Sequence, residues 1–475
     1  MGTEGTGHGM TTSSQKRGGS LSERLATFAA AVDFSALPAA VIDTLKLHLL
    51  DTLGVALAAA PRDFGIAALA TLRAFGGPPT CTVIGAEDKL PAPWAALANG
   101  TLAHGLDFDD THQESVVHVS AGIVPAALAA AEEAGADGRM LLASLAVGQE
   151  ASIRIGLAAR GGFHDRGFHP TGICNAFGAA LAAGKLRGLA AEQLADALGI
   201  AGSQAAGSLE FLTDGTWVKR IHGGWAAHAG LVAAALASSG FTGPRGVLDG
   251  RFGLYQSHLG AAAWDAIAVT DGLGERWELL QTGLKPYPCC HYNHAFIDCA
   301  AAIRARHDLD PATISHITCL IAAREIPIVC EPAATKQRPQ TDYDAKFSLP
   351  YTVACMLARG QVDIDDFTPA AISDFAVLDL AARTTYEIDP DAEFPLRFGG
   401  RLRVHLRDGR VLEHHEPVNR GSAERPLTEP EVIEKFRRNA SRALSPRRVA
   451  AIVDAVATLE RTGLTALARS LGAAL

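Results

Sequence analysis

Two patterns of apolar positions divide the chain. From Ser20 to about residue 281, long Ala- and Leu-rich segments carry apolar residues at intervals of three and four, with Gly and Pro between the segments. That spacing gathers apolar side chains on one face of an α-helix, and several segments are apolar on nearly every face. The pattern predicts a set of packed helices. The first should begin at the capping box formed by Ser20 and Glu23.

After residue 281 the pattern becomes that of β-strands. Residues 312–328 are rich in Ile and Thr and partly alternate, and residues 400–416 alternate around Asp408 and Gly409. Alternation predicts strands with one buried face, and an Asp-Gly pair favours the tight primed turn of a hairpin. The helical pattern returns after residue 416.

The predicted fold is therefore mainly α, with a large all-helical domain interrupted by a smaller α+β domain. The expected segments are a disordered tail over 1–19, the first part of the helical domain over 20–281, the α+β domain over 282–416, and the C-terminal part of the helical domain over 417–475. A cleft between the two domains is a common place for a small-molecule site.

The composition of the chain limits which kinds of binding partner are expected. The net charge of −9 disfavours nucleic acid and anionic membranes, and no run of eighteen apolar residues predicts a membrane span. The eight cysteines show no C-x-x-C spacing, which is typical of a reduced, cytoplasmic protein. The first nineteen residues lack the apolar stretch of a signal peptide. An anionic small substrate is compatible with this charge only if its site is locally basic.

Ionisable residues concentrate in four stretches of otherwise apolar helical sequence. The candidate site residues in these stretches are, in chain order, Asp107, Thr111, His118, His169, Lys219, Lys285, Cys290 and His291. A helix over 105–112 would place Asp107 and Thr111 on one face. Gly167 and Pro170 mark a loop that presents His169 at a helix start, where free N–H groups suit an anion. Each stretch taken singly also fits an ordinary structural role.

Together these stretches supply His, Lys and Asp without any nucleotide or phosphate signature. That set suits removal of a proton next to a carboxylate, followed by loss or relocation of a group. The resulting dianion needs cationic donors such as Lys, and the reaction needs both a proton acceptor and a proton donor.

A metal site is the alternative for the stretch "HGLDFDDTHQESVVH" at 104–118. Asp109, Asp110, His112 and His118 could supply ligands, but the spacing fits neither H-E-x-x-H nor an EF-hand loop. A metal-free site is favoured, with Asp109, Asp110 and His112 in structural or supporting roles.

Five motifs also resemble one known family. "AHGLDFDDT", "GFHPTG", "GTWVKRIHGGWAAHAG", "LKPYPCCHYNH" and "DAKFSLPYTVA" occur in the order and approximate spacing of the MmgE/PrpD family. That family includes 2-methylcitrate dehydratases, cis-aconitate decarboxylases and an iminodisuccinate epimerase. The resemblance covers residues 20–475. It implies a helical domain with an α+β lid, a homodimer, a small anionic carboxylate as substrate, and no metal or other cofactor.

Carried over by motif, the resemblance implies two groups of site residues. The catalytic group is Asp107, His118, His169, Lys219 and Lys285, and the substrate-binding group is Thr111, Cys290, His291 and Tyr351. His118 has one extra residue before it and lacks the proline of the family's H-P-S-G. Cys290 stands where a decarboxylase-like K-x-x-P-x-H motif has histidine, and His291 follows one position later.

The expected function is a cofactor-independent lyase acting on a di- or tricarboxylic acid. The departure at Cys290 disfavours the decarboxylase, so a hydro-lyase of the 2-methylcitrate dehydratase type is the leading hypothesis. The alternatives are a cis-aconitate decarboxylase-like lyase, an epimerase or isomerase of an amino- or hydroxy-dicarboxylate, and a non-catalytic binding paralogue.

Overall fold

The computed structural model describes residues 19–394 and 396–472. Except for Gly19, the predicted tail over 1–19 lies outside the described residues. The capping box is confirmed, because Ser20 Oγ accepts from Glu23 N and the Glu23 carboxylate accepts from Ser20 N.

The first part of the chain is built from helices joined by short loops. They are α1 (Leu21–Ala31), α2 (Ala39–Ala59), α3 (Asp63–Phe75), α4 (Ala92–His104), α5 (Ser120–Ala134), α6 (Gly138–Ala158), α7 (Gly162–Asp165), α8 (Pro170–Leu186), α9 (Ala191–Ala201), α10 (Phe211–Asp214), α11 (Ile221–Ser238), α12 (Leu254–Leu259) and α13 (Ala266–Thr270). Two short antiparallel ladders accompany them, β1 (Cys81–Thr82) with β2 (Lys89–Leu90), and β3 (Thr111–His112) with β4 (Thr282–Gly283).

Small residues let the central helices touch along their backbones. A Cβ atom built on Gly100 of α4 would lie 2.5 Å from the Cα of Gly224 in α11. A side chain at either position would therefore push these helices apart. The abundance of Ala and Gly in this part of the sequence follows from that close packing.

The second part of the chain is the α+β unit, called the lid below. Its elements are α14 (His294–His307), β5 (Ile314–Ile321), α15 (Ile326–Val329), α16 (Ala333–Gln337), α17 (Asp342–Lys346), α18 (Leu349–Arg359), α19 (Phe375–Ala382), β6 (Thr384–Ile388), β7 (Gly400–Leu406) and β8 (Val411–Glu416). Its four-stranded sheet has the order β6-β5-β7-β8, with β5 and β6 parallel and the other pairs antiparallel.

The predicted hairpin at 400–416 is confirmed, but its turn differs from the expected one. His405 pairs with Val411, and the amide of Gly409 donates to Leu406 O at 3.0 Å. Gly409 has φ +90°, whereas a primed two-residue turn would also need a positive φ at Asp408, which is not observed. The loop is therefore a longer one that needs Gly at a single position.

The chain then returns to the helical body through α20 (Glu429–Ala440), α21 (Pro446–Ala457), α22 (Leu459–Thr462) and α23 (Leu464–Leu471). Phe436 of α20 packs against Gly54 of α2, so close that a Cβ on Gly54 would lie 2.9 Å from its ring. Residues from both ends of the chain share one apolar core, and the lid has a second core of its own. A mainly α fold interrupted by a smaller α+β domain is thus confirmed, while the residue boundaries stay predictions.

Among residues 19–394 and 396–472, α6 is the one helix with the length and apolar character of a membrane span. α6 is long and apolar enough by length and composition, yet 89% of its apolar window is buried inside the fold, as in a core helix. α2 and α3 pass only as a pair, across a 90° bend.

Candidate active site

A solvent-open cleft lies where the lid meets the helical body, with about 630 Å³ of empty space that includes its open mouth. Eight of the nine predicted site residues line it, namely Asp107, Thr111, His118, His169, Lys219, Lys285, Cys290 and His291. Gln113, His164, Phe347 and Phe398 are among the other residues of its wall. Stretches that are far apart in sequence therefore meet in one place.

Tyr351 is the predicted residue that the structure does not bring to the cleft. It is fully buried in α18, and its hydroxyl donates to the backbone oxygen of Asp366 at 2.5 Å. Its side chain is used inside the lid, so its predicted contact with substrate has no support in this geometry.

The segment after α4 is a loop, which makes the helix considered over 105–112 wrong. Asp107 has φ +54° and Val116 has φ +57°, the left-handed region. Asp tolerates that region, but a β-branched residue there is strained. Such strain persists only where the surrounding contacts impose it, and it concentrates at functional sites.

Three buried lysines impose the path of this loop. Lys346, Lys285 and Lys435 donate to the backbone oxygens of residues 106, 107 and 108 respectively, at 2.8, 3.0 and 3.0 Å. A continuing helix would use those oxygens for its own hydrogen bonds. Two of these lysines come from the lid side and one from α20, so the loop is held from both sides.

Asp107 sits between two ammonium groups. Its Oδ1 accepts from Lys219 Nζ at 2.5 Å, and its Oδ2 lies 3.2 Å from Lys285 Nζ. Burial acts to raise the pKa of this carboxyl, but Lys219 and Lys285 outweigh burial and hold the pKa well below its ordinary value. The cleft thus contains an ionised carboxylate flanked by two cations.

Lys346 and Lys435 do not line the cleft. Lys346 also donates to Pro288 O at 2.7 Å, which ties the loop of Asp107 to the lid segment bearing Lys285. Burial lowers the pKa of Lys346 to about 8, although Asp107 opposes the shift. Lys435 pairs with buried Asp51 at 2.7 Å.

His118 presents one nitrogen to the wall and keeps the other unbonded. Its Nδ1 lies 2.9 Å from Asp110 O and 3.0 Å from Thr111 Oγ1. A carbonyl oxygen only accepts, so Nδ1 carries the proton and Nε2 has a free lone pair. Within the described ranges, Nε2 makes no hydrogen bond. Burial lowers the pKa of His118 to about 3, against the opposing effect of Asp109, so the ring is neutral at pH 7.

Further histidines surround His118. The ring of His104 lies 5.1 Å from that of His118 and 5.4 Å from that of His169, and its Nδ1 donates to Asp109 at 2.7 Å. His169 lies at the start of α8, as predicted, and its Nδ1 lies 2.9 Å from Nδ1 of His222. Burial and His222 together place the pKa of His169 well below its ordinary value.

Besides Lys285, the lid contributes neutral groups to the cleft wall. Burial raises the pKa of the Cys290 thiol to about 12, so it is uncharged at pH 7. Burial, with His294 and Lys285, places the pKa of His291 well below its ordinary value. Phe347 stands 5.1 Å from Lys219 Nζ, which restricts the water around that cation.

The three residues assigned to supporting roles lie behind the wall. Asp110 accepts from Ser120 N at 2.9 Å and His48 Nδ1 at 2.6 Å, while His112 Nδ1 is 2.9 Å from Ser115 Oγ. Among residues 19–394 and 396–472, no group of three or more His, Cys, Asp or Glu is arranged to hold a metal ion. Metal independence itself stays a prediction.

Sequence reasoning missed several residues of this region. Gln113 lines the cleft, Asn419 contacts His291, and Lys346 and Lys435 hold the loop. Lys346 lies inside the quoted motif "DAKFSLPYTVA", which was a usable signal. Asn419 and Lys435 stand in polar segments where sequence alone offers no comparable signal.

A helical body, an α+β lid and a cleft lined by His, Lys and Asp define a two-domain protein of the class that the motifs predicted. The MmgE/PrpD N-terminal domain model matches residues 23–266, and the C-terminal domain model matches residues 287–461. The chain belongs to the MmgE/PrpD family.

Curated relatives extend over nearly the whole chain. A cis-aconitate decarboxylase-like protein, oryM, of Aspergillus oryzae is 27% identical, covering 95% of this chain and 97% of its own. Cis-aconitate decarboxylases of Aspergillus terreus and Homo sapiens are each 28% identical. Each covers at least 90% of both chains.

Proposed function

We propose that the protein is a lyase that releases CO2 from an unsaturated tricarboxylic acid of the cis-aconitate type. The observation that carries this proposal is the pair of ammonium groups, Lys219 and Lys285, in one cleft with the unbonded Nε2 of His118. Cations for carboxylates and a proton carrier are the two things such a reaction requires.

The charge of the cleft fits a polyanionic substrate. The chain as a whole has net charge −9, yet two lysines project into this small space and are balanced by one carboxylate, Asp107. Substrate carboxylates can share Lys219 and Lys285 with Asp107. A buried cation acts strongly on such groups because little water screens it.

The chemistry assigns a role to each group. When the bond to the departing carboxylate breaks, its electron pair forms a new C=C bond. The pair of the original double bond moves to the carbon beside another carboxylate, and that carbon takes up a proton. Lys219 and Lys285 stabilise the charge that develops on the carboxylate oxygens. An anion beside His118 raises the pKa of the imidazole, so the ring takes a proton from water and delivers it to carbon.

The relatives support decarboxylation over the other reactions of the family. Those quoted above are named as cis-aconitate decarboxylases or a protein like them, and their likeness spans both domains. This favours the alternative that the sequence ranked below dehydration.

A 2-methylcitrate dehydratase-type hydro-lyase is the second candidate, favoured by one observation. Cys290, in the position of the decarboxylase-like histidine, is a neutral thiol on the cleft wall. In dehydration His118 would instead accept a proton from carbon, for which its neutral state is suited.

Proton NMR in D2O tests the proposal. Incubation with cis-aconitate should give CO2 and a five-carbon unsaturated dicarboxylate bearing one deuterium on carbon. Dehydration of 2-methylcitrate without CO2 release would instead establish the second candidate. A panel of di- and tricarboxylic acids with no turnover would contradict a catalytic function altogether.

Lysine variants locate the activity in the cleft. Lys219→Met and Lys285→Met should each lower kcat/KM by roughly 100-fold or more, because each removes a donor to developing charge. Lys89→Met is the matched control, since Lys89 is exposed on β2 and is not part of the cleft wall. Equal activity of all three variants would exclude the cleft as the active site.

The remaining expectations about partners and location stay part of this proposal. A homodimer is supported by α11, which exposes Ile221, Trp225 and Leu236 along one face. A cofactor-free, cytoplasmic enzyme without nucleic-acid or membrane partners also stays a prediction.

A further inference from the structure

His291 is held from one side by an amide relay. Asn419 Nδ2 lies 2.6 Å from His291 Nε2, and Asn419 Oδ1 accepts from Gln113 Nε2 at 3.2 Å. An amide nitrogen only donates, so Nε2 of the neutral ring is the acceptor and the proton is on Nδ1. The oxygen of Asn419 accepts from Gln113, so in this arrangement the Asn419 amide nitrogen is the group that faces His291.

The protonated nitrogen of His291 is buried and unused. Its Nδ1 has no hydrogen-bond partner within residues 19–394 and 396–472. The ring of His294 lies 4.7 Å away but donates its own Nε2 proton to Cys289 O at 3.2 Å and makes no bond to His291. An unpaired buried N–H is costly, so a partner is expected from elsewhere. His291 lines the cleft, and Nδ1 is the ring nitrogen that has no partner among the described residues.

The relay joins three separate segments of the chain. Gln113 belongs to the loop of the helical body beside β3, His291 to the lid, and Asn419 to the strand-to-helix connection by which the chain leaves the lid. His291 and Asn419 are both at least 95% buried. The tautomer of His291 therefore depends on the lid being seated on the body.

We propose that Asn419 and Gln113 are positioning residues that hold His291 as its Nδ1–H tautomer, an uncharged donor for a substrate carboxylate oxygen. The hydrogen bond strengthens as that oxygen gains negative charge in the reaction, and no proton needs to be transferred. The imidazole of His291 would thus supply a hydrogen-bond donor on the part of the wall where Cys290 is neutral. This inference rests on the proposed function for its substrate, but the tautomer itself does not.

Nitrogen NMR tests the tautomer without any turnover. With ¹⁵N-labelled histidine, long-range ¹H–¹⁵N spectra of wild type, with His291→Gln for assignment, should show a protonated Nδ1 and an unprotonated Nε2. Asn419→Asp should move the proton to Nε2, because a carboxylate can only accept. A wild-type ring protonated at Nε2 would overturn the inference, whatever the enzyme catalyses.

Kinetics test the role in catalysis. With cis-aconitate, Asn419→Leu should lower kcat roughly 10- to 100-fold with KM nearly unchanged, because the donor is misdirected while the lysines still bind the substrate. Asn439→Leu is the matched control, since Asn439 is fully buried in α20 and outside the cleft wall. If Asn419→Leu and Asn439→Leu lower kcat equally, the positioning role is refuted. If wild type turns over no acid but the tautomer is as stated, the proposed function alone fails.

Discussion

The two walls of the cleft use the same residue type in opposite senses. On the wall of the helical body, His118 Nδ1–H donates a hydrogen bond to Asp110 O, which leaves Nε2 as an acceptor. On the lid wall, His291 receives a proton donor at Nε2 and leaves Nδ1–H as a donor. Both rings are neutral; His291 is buried and the side chain of His118 is 12% exposed. The difference shows that a backbone carbonyl or an amide, and not the histidine itself, decides what each ring can do.

The walls also differ in how they are held. The body wall is a strained loop whose backbone oxygens are taken by three lysines. The lid wall carries the neutral Cys290 and aromatic side chains such as Phe347 and Phe398. In the proposed reaction, proton transfer thus belongs to the body side, and the lid side supplies one of the two cations, Lys285, together with shape, exclusion of water and one directed donor.

The largest expected effect on kcat comes from removing the imidazole of His118, the acceptor on the body wall. His118→Gln should lower kcat roughly 100- to 10,000-fold, because it removes the proton carrier. His291→Gln should cost roughly 10- to 100-fold, because it weakens one hydrogen bond to the transition state. Steady-state kinetics with cis-aconitate measure both, and exposed His307→Gln is the control. Equal losses at the two positions would contradict the assignment of different roles.

The next largest effect is on the free energy of unfolding and comes from Lys435, which holds the loop of the body wall. Lys435→Met should lower the free energy of unfolding by about 3–5 kcal/mol, because it leaves Asp51 as a buried charge without a partner. Lys46→Met breaks the partly exposed pair with Glu460 and should cost about 1 kcal/mol or less. Urea denaturation measures both. Similar losses would show that the buried lysine is not a special support of the loop.

Sequence could predict which stretches matter more readily than how they meet. The helical and strand regions, the capping box and the hairpin follow from local periodicity and turn chemistry, and eight predicted site residues lie in the cleft. The path of 105–112 was mispredicted because its backbone oxygens bond to Lys285, Lys346 and Lys435, which are 178 to 327 residues away. No local pattern contains such partners.

The same limit applies to roles within the site. Sequence placed a histidine at 118 and at 291, but the proton position in each depends on Asp110 O or on Asn419. Asn419 is a single asparagine in a polar segment, and only the seated lid brings it to His291. Tyr351 shows the converse, because a matching motif carried a residue that the lid uses internally.

Acid pH should produce the smallest effect, and it tests whether the two cleft histidines, His118 and His291, stay neutral. The pKa of His118 is lowered to about 3 in the folded protein, whereas an unfolded histidine titrates near 6.5. Between these values the unfolded chain binds more protons, so stability falls as the pH drops from 6.5 toward 3. Each such histidine contributes a slope of about 1.4 kcal/mol per pH unit.

Removing one histidine should therefore flatten the acid limb of the stability curve by about one such slope. His118→Gln and His291→Gln should do so alike, because burial lowers the pKa of both rings. Urea titrations between pH 6.5 and 5 measure the slope, and Asn419→Leu, which removes no titrating group, should keep the wild-type value. A wild-type slope in His118→Gln would mean that folding does not lower the pKa of this ring. His118 would then take up a proton as the pH falls below 6.5, and the contrast between an accepting His118 and a donating His291 would not hold there.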